Sequence, residues 1–116
     1  MSEDRRVTNQ SLQAADDAAV LDIAGCGAIG VQLVDAALPA AWNGTVSFEG
    51  SLDGLTWVAF NLYPSTGAVT AATSATSAGC WSGHCGGFRF FRARLSTATA
   101  GAVRVNLQSS LAGGKP

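Results

Sequence analysis

No acidic side chain follows Asp53, and charge is scarce throughout. Only 13% of the 116 residues are Asp, Glu, Lys or Arg, against about 25% in a typical soluble protein. A surface this poor in charge does little to resist self-association, so part of it is expected to be covered in an assembly. Dense runs of Lys or Arg are missing too. With a net charge of -1 there is no phosphate-binding surface, and no nucleic acid is expected as a partner. No apolar run approaches the length of a membrane span. The opening "MSEDRRVTNQ" is charged and polar, unlike a secretory leader. The chain is therefore expected to be made in a cytoplasm, to stay soluble and to have no membrane partner.

Catalytic and metal-binding residue types are equally sparse. Histidine occurs once, at His84, and cysteine three times, at Cys26, Cys80 and Cys85. "CWSGHC" places His84 between two thiols. One pair of non-standard spacing plus a remote cysteine is not the two tight ligand pairs of a structural zinc site, so no metal is expected. No acid lies near His84 to orient the imidazole for a Cys-His nucleophile pair, and no serine sits in a nucleophile elbow. No catalytic residue is assigned, and the chain reads as a non-enzyme. In a reducing cytoplasm the thiols are expected to be free. The alternative is a Cys80–Cys85 bridge closed after release into an oxidising medium.

What the chain does have is glycine, Ser, Thr and alternation. "GCGAIG" at 25–30 matches the Gly-x-Gly-x-x-Gly dinucleotide pattern, with Glu49 about 20 residues on, where a ribose-binding acid would stand. The context fails. "AIGVQLVDA" at 28–36 contains Gly30, Val31 and Val34, which favour a strand over a helix, and Pro39 would cut a helix short. Beyond residue 50 only period-two segments follow, so the required strand–helix–strand continuation is missing. With 14 glycines a chance match is expected. The glycines read as a tight turn between strands, and no cofactor is expected.

Period-two alternation predicts strands almost everywhere. "AAVLDIA" (18–24) is one. Ile29, Val31 and Leu33 alternate with Gly30, Gln32 and Val34 in the next. In "TVSFEGS", Val46 and Phe48 face inward against Thr45, Ser47 and Glu49. Asp53-Gly54 is a hairpin turn signal, after which Trp57 and Val58 open a return strand ending near Leu62, with Trp57 in the core. Residues 65–79, low in complexity, read as an exposed loop and an edge strand. "FRFFRARLS" (88–96) puts Phe91, Ala93 and Leu95 on one face, with Phe88, Phe90, Arg92 and Arg94 on the other. "AVRVNLQSS" puts Val103, Val105 and Leu107 inward, with Arg104, Asn106 and Gln108 outward. These last two strands are expected to pair as a hairpin carrying Arg92, Arg94 and Arg104 on one outer face.

About seven or eight short strands at regular spacing indicate one all-β domain, an antiparallel, jelly-roll-like β-sandwich over residues 11–112. Residues 1–10 are expected to form a flexible N-terminal arm and 113–116 a loose C-terminal tail. The charges are asymmetric. All eight acids lie in the first half, while Arg89, Arg92, Arg94, Arg104 and Lys115 populate the second. Either strands from the two halves lie side by side and neutralise each other, or complementary faces dock subunits or a partner. On the second reading Arg5, Arg6, Arg92, Arg94 and Arg104 are the contact candidates.

"GTVSFEGSLDGLTWVAF" and "GFRFFRARLSTATAGAVRVNLQSS" together resemble a β-sandwich module of tailed-phage virion proteins. The likeness runs over roughly residues 18–110, and Cys80 and Cys85 are not part of the pattern. The resemblance implies a non-enzymatic virion protein, most like a head decoration (cement) protein. Such proteins typically sit as trimers on the outer head surface, bind the major capsid protein and stabilise the shell. A tail, adaptor or baseplate component is the rival within the class. A carbohydrate-binding host-adhesion module is the rival outside it. That reading needs exposed rings for sugar stacking, for which Trp42 and Trp81 are the candidates.

Overall fold

The computed structural model describes residues 5–35, 42–67 and 70–111, with no helix among them. The sequence-expected C-terminal tail at 113–116 lies outside these residues, as do residues 1–4 of the expected arm. Residues 5–10 correct that expectation. Arg5–Leu12 is strand β1, paired antiparallel with the last strand along its whole length, from Arg5↔Ser110 to Leu12↔Val103. "RRVTNQSL" carries few apolar residues. A strand at the end of a sheet needs few, since its backbone bonds to a neighbour that already exists.

The remaining strands are β2 (Ala18–Asp22), β3 (Cys26–Asp35), β4 (Asn43–Ser51), β5 (Val58–Ala59), β6 (Tyr63–Pro64), β7 (Ser74–Ala75), β8 (Gly79–His84), β9 (Phe90–Ala100) and β10 (Val103–Leu111). They form two sheets, β1-β10-β3-β8-β6 and β2-β9-β4-β5, with β7 also on β4. The winding is simple. The first half of the chain pairs with the second as one long antiparallel double strand, β1 with β10, β2 with β9, β3 with β8, and β4 with β5 and β7. Rolling that ribbon joins β10 to β3 and β9 to β4. The result is a jelly-roll β-sandwich.

The core lies between the sheets and follows the alternation. Ile29, Val31 and Leu33 meet Val103, Val105 and Leu107 from one sheet, and Val46, Phe48, Phe91, Ala93 and Leu95 from the other, all buried. Phe48 joins the layers, with its ring centroid 5.6 Å from that of Trp81 and 6.5 Å from that of Phe91. Of "GCGAIG" only Gly25, at φ 79, lies in the turn expected there; the other five residues already belong to β3, and no helix follows.

β9 and β10 do not form the expected hairpin. The turn at Gly101, φ 77, carries the chain from one sheet to the other. Alternation fixes which side chains are buried, and it reads the same whether the next strand lies beside the first or across the core from it.

Candidate functional site

The outer faces of the two sheets divide the sequence-expected contact residues. On the β2-β9-β4 sheet, the register sets Glu49 opposite Arg92 and Ser47 opposite Arg94. Glu49 is 15% exposed and accepts from both arginines, at 2.6 Å from Arg92 Nε and 3.1 Å from Arg94 Nε and Nη2. Arg94 Nη1 reaches Asp16 at 2.8 Å. Burial acts to raise the Glu49 carboxyl, but the hydrogen bonds and charges of Arg94 and Arg92 outweigh it and hold the group below its ordinary range. The Arg92 guanidinium lies 4.2 Å from the Trp57 ring centroid, a cation–π contact. Glu49 and Asp16 of the first half thus pair with Arg92 and Arg94 of the second. Arg92 and Arg94 are committed within the chain.

Trp57 corrects a second expectation. It is half-buried, in the connection from 52 to 57 that folds back toward the outer face, rather than in the core. That connection is shaped by Asp53. Its Oδ1 accepts from Ser51 Oγ and from the backbone of Leu55 and Thr56, at 2.8–3.0 Å. Ser51 Oγ in turn accepts from Gly54 N at 2.8 Å. The hairpin expected from Asp-Gly therefore closes through a wider, side-chain-capped loop. Leu55, 85% exposed, projects from it.

Arg104 stands on the other sheet's outer face, away from Arg92 and Arg94, and makes no ion pair among the described residues. Arg5 and Arg6 open β1 on that sheet. The centre of this face is uncharged. Asn9, Asn106, Gln32 and Cys80 lie side by side across β1, β10, β3 and β8, and Asn106 Nδ2 donates to Gln32 Oε1 at 3.1 Å. A shallow groove of about 400 Å³ runs between Val7, Asn9, Gln32, Cys80, Asn106 and Gln108. This amide-rich surface crosses four neighbouring strands. The sequence showed three of its members, as outward partners of buried neighbours. It could not show that β1, β10, β3 and β8 lie adjacent.

The expectation for Trp42 is also corrected. Trp42 is 5% exposed, and its backbone N–H donates to Asp35 Oδ1 at 3.1 Å. Trp81 packs against the core beside Phe48. Trp42 therefore offers no free ring for a sugar, whereas Trp81 is half-buried. The cysteines differ from both expectations as well. Cys80 is free and exposed, whereas Cys85 is buried and disulfide-bonded, so a Cys80–Cys85 bridge is not formed.

No protein-family model and no curated protein matches the chain. Solved structures do. The chain is similar to the SPBc2 prophage-derived protein YomS, with a TM-score of 0.68 and 12% identity over 94% of this chain and 96% of that one. It is similar to the PBSX exported protein XepA, with a TM-score of 0.68 and 20% identity over 94% of this chain and 39% of that one. The chain thus spans well under half of XepA. At these identities the likeness is one of fold, and it establishes that this jelly-roll arrangement is shared with both proteins.

Proposed function

We propose that the chain is a non-enzymatic structural protein of a tailed-phage particle, placed on the outer surface of the head and bound to the major capsid protein. The observation that carries this reading is the end-to-end correspondence with a prophage-derived protein, 94% of one chain over 96% of the other. The virion-like pattern of β4 and β9 in the sequence supports it from a separate direction. The uncharged amide face suits a contact with a large, flat partner, because few charges have to be stripped of water there. A particle released by lysis enters an oxidising medium, in which the disulfide at Cys85 persists.

The test is co-sedimentation of the purified protein with capsids stripped of their accessory proteins. Saturable binding at a fixed ratio to capsid subunits is expected. Binding should be lost when Gln32→Glu and Asn106→Asp place charge on the amide face. Capsids that take up no protein, while tail tubes or baseplates do, would replace head decoration with a tail role.

A further inference from the structure

Gly30 stands in the middle of β3 without a steric reason for being glycine. It is not among the glycines of positive φ, and its register with β10 and β8 is unbroken at that point. A Cβ added there would meet nothing nearer than the Trp81 carbonyl oxygen at 4.0 Å. The strand glycines Gly50 and Gly83 differ, since a Cβ would press on Phe60 at 2.7 Å and on Leu62 at 2.9 Å. Glycine weakens a strand, and one that stands where a side chain would fit marks a place where something else approaches the backbone.

The register shows what surrounds it. One row crosses all five strands of the first sheet: Tyr63, Ser82, Gly30, Gln108 and Val7. Directly paired residues share a face. Here it is the outer face, where Ser82, Gln108 and Val7 are exposed and Tyr63 is 46% exposed. Gly30 is thus a dip between a hydroxyl and an amide, with a phenol ring two strands away, about 10 Å. Two shallow grooves, of about 210 and 400 Å³, meet at Gly30 and Gln108, and no charged side chain lines either. Backbone groups in mid-sheet are already bonded to neighbouring strands. A ligand there finds only hydroxyl and amide side chains and a ring face. A peptide strand has no open edge to join, and an anion has no cation in either groove. A neutral saccharide fits, because its hydroxyls exchange hydrogen bonds with Ser and Gln side chains and its apolar C–H face packs on an aromatic ring. We propose that Tyr63, Ser82, Gly30 and Gln108 bind a neutral oligosaccharide, with one sugar ring on Tyr63 and another in the dip over Gly30. The site does not rest on the capsid reading, and a shell bound across the same face would compete with the sugar.

Calorimetric titration of the full chain with chitotetraose and with maltotetraose, both uncharged, tests it without capsids present. Saturable binding of at least one is expected, with backbone amide NMR shifts centred on Gly30, Ser82 and Gln108. Gly30→Val fills the dip with a side chain that suits a strand. It is expected to abolish binding and leave the circular dichroism spectrum unchanged. Tyr63→Ala is expected to weaken binding about tenfold, as the loss of one stacked ring allows. A wild type that binds neither sugar, shifts centred elsewhere, or binding that either variant leaves unchanged would overturn the proposal. If Gly30→Val fails to fold, Tyr63→Ala decides. Capsid co-sedimentation is read separately, so the failure of one reading leaves the other standing.

Discussion

Asp53 takes three hydrogen bonds on one carboxylate oxygen, and these set both the shape of its loop and its acidity. The bonds from Thr56 N, Leu55 N and Ser51 Oγ lower its pKa from 3.8 to about 2. Asp17, through Ala14 N and Gln13 N, is lowered in the same direction. Glu49 is lowered as well, its arginines outweighing its burial. A depressed carboxylate binds fewer protons in the native state than in the unfolded chain, so its stabilisation is complete above the unfolded pKa and fades as pH falls through the folded one. The thermal midpoint is therefore expected to be level above about pH 5 and to fall progressively toward about pH 2. Asp53→Asn should lower the midpoint at pH 7 and flatten the acid limb; calorimetry showing an unchanged limb would contradict this account. Asp-Gly was legible as a turn, but the capping by Asp53 was not, because it depends on where Ser51 and Thr56 return in space.

Among the elements, β4 carries the most consequences. Its Glu49 ties β9 through Arg92 and Arg94, whose side chains are 23% and 26% exposed. Glu49→Gln leaves two half-buried guanidinium groups short of a charged acceptor. A loss on the order of 2 kcal/mol is expected, between an exposed pair and a buried one. Urea unfolding followed by tryptophan fluorescence reads this directly, and a loss below about 0.5 kcal/mol would place the network among inert surface pairs. The start of β4 is constrained differently. The register shifts between Asn43 and Gly44, and a Cβ at Gly44 would collide with the Thr97 carbonyl oxygen. Gly44→Ala is expected to cost about 1–3 kcal/mol and to be felt at the β4–β9 pairing, where amide hydrogen exchange should accelerate first. "NGTV" shows nothing of this, since a bulge is a relation between two strands.

For the whole molecule, cohesion between the sheets rests on the buried rows and most visibly on Phe48, which touches Trp81 on one sheet and Phe91 on its own. Phe48→Ala is expected to cost about 3–5 kcal/mol, a large share of the roughly 5–15 kcal/mol that holds a domain together. Guanidinium unfolding should show a lower midpoint with the same slope. A lower slope would mean that the sheets no longer unfold as one unit. At this scale β1 is also the element that keeps the first sheet open at one side, where the other edges are short.

Alternation along the chain by itself determined that the protein is all-β, that Val46, Phe48, Phe91, Ala93, Leu95, Val103, Val105 and Leu107 are buried, and that the glycine motif opens no helix. Residues two apart share a face of a strand whatever lies beside it, so these outcomes need no knowledge of neighbours. Only the tertiary structure decided that β9 and β10 belong to different sheets, that Arg104 is parted from Arg92 and Arg94, and that Trp42 is packed away. The same holds for the capture of Arg94 by Asp16, 78 residues distant, and of Arg92 by Glu49, 43 residues distant. Those outcomes depend on which backbone edges meet when the ribbon rolls, and a local period carries no record of that choice.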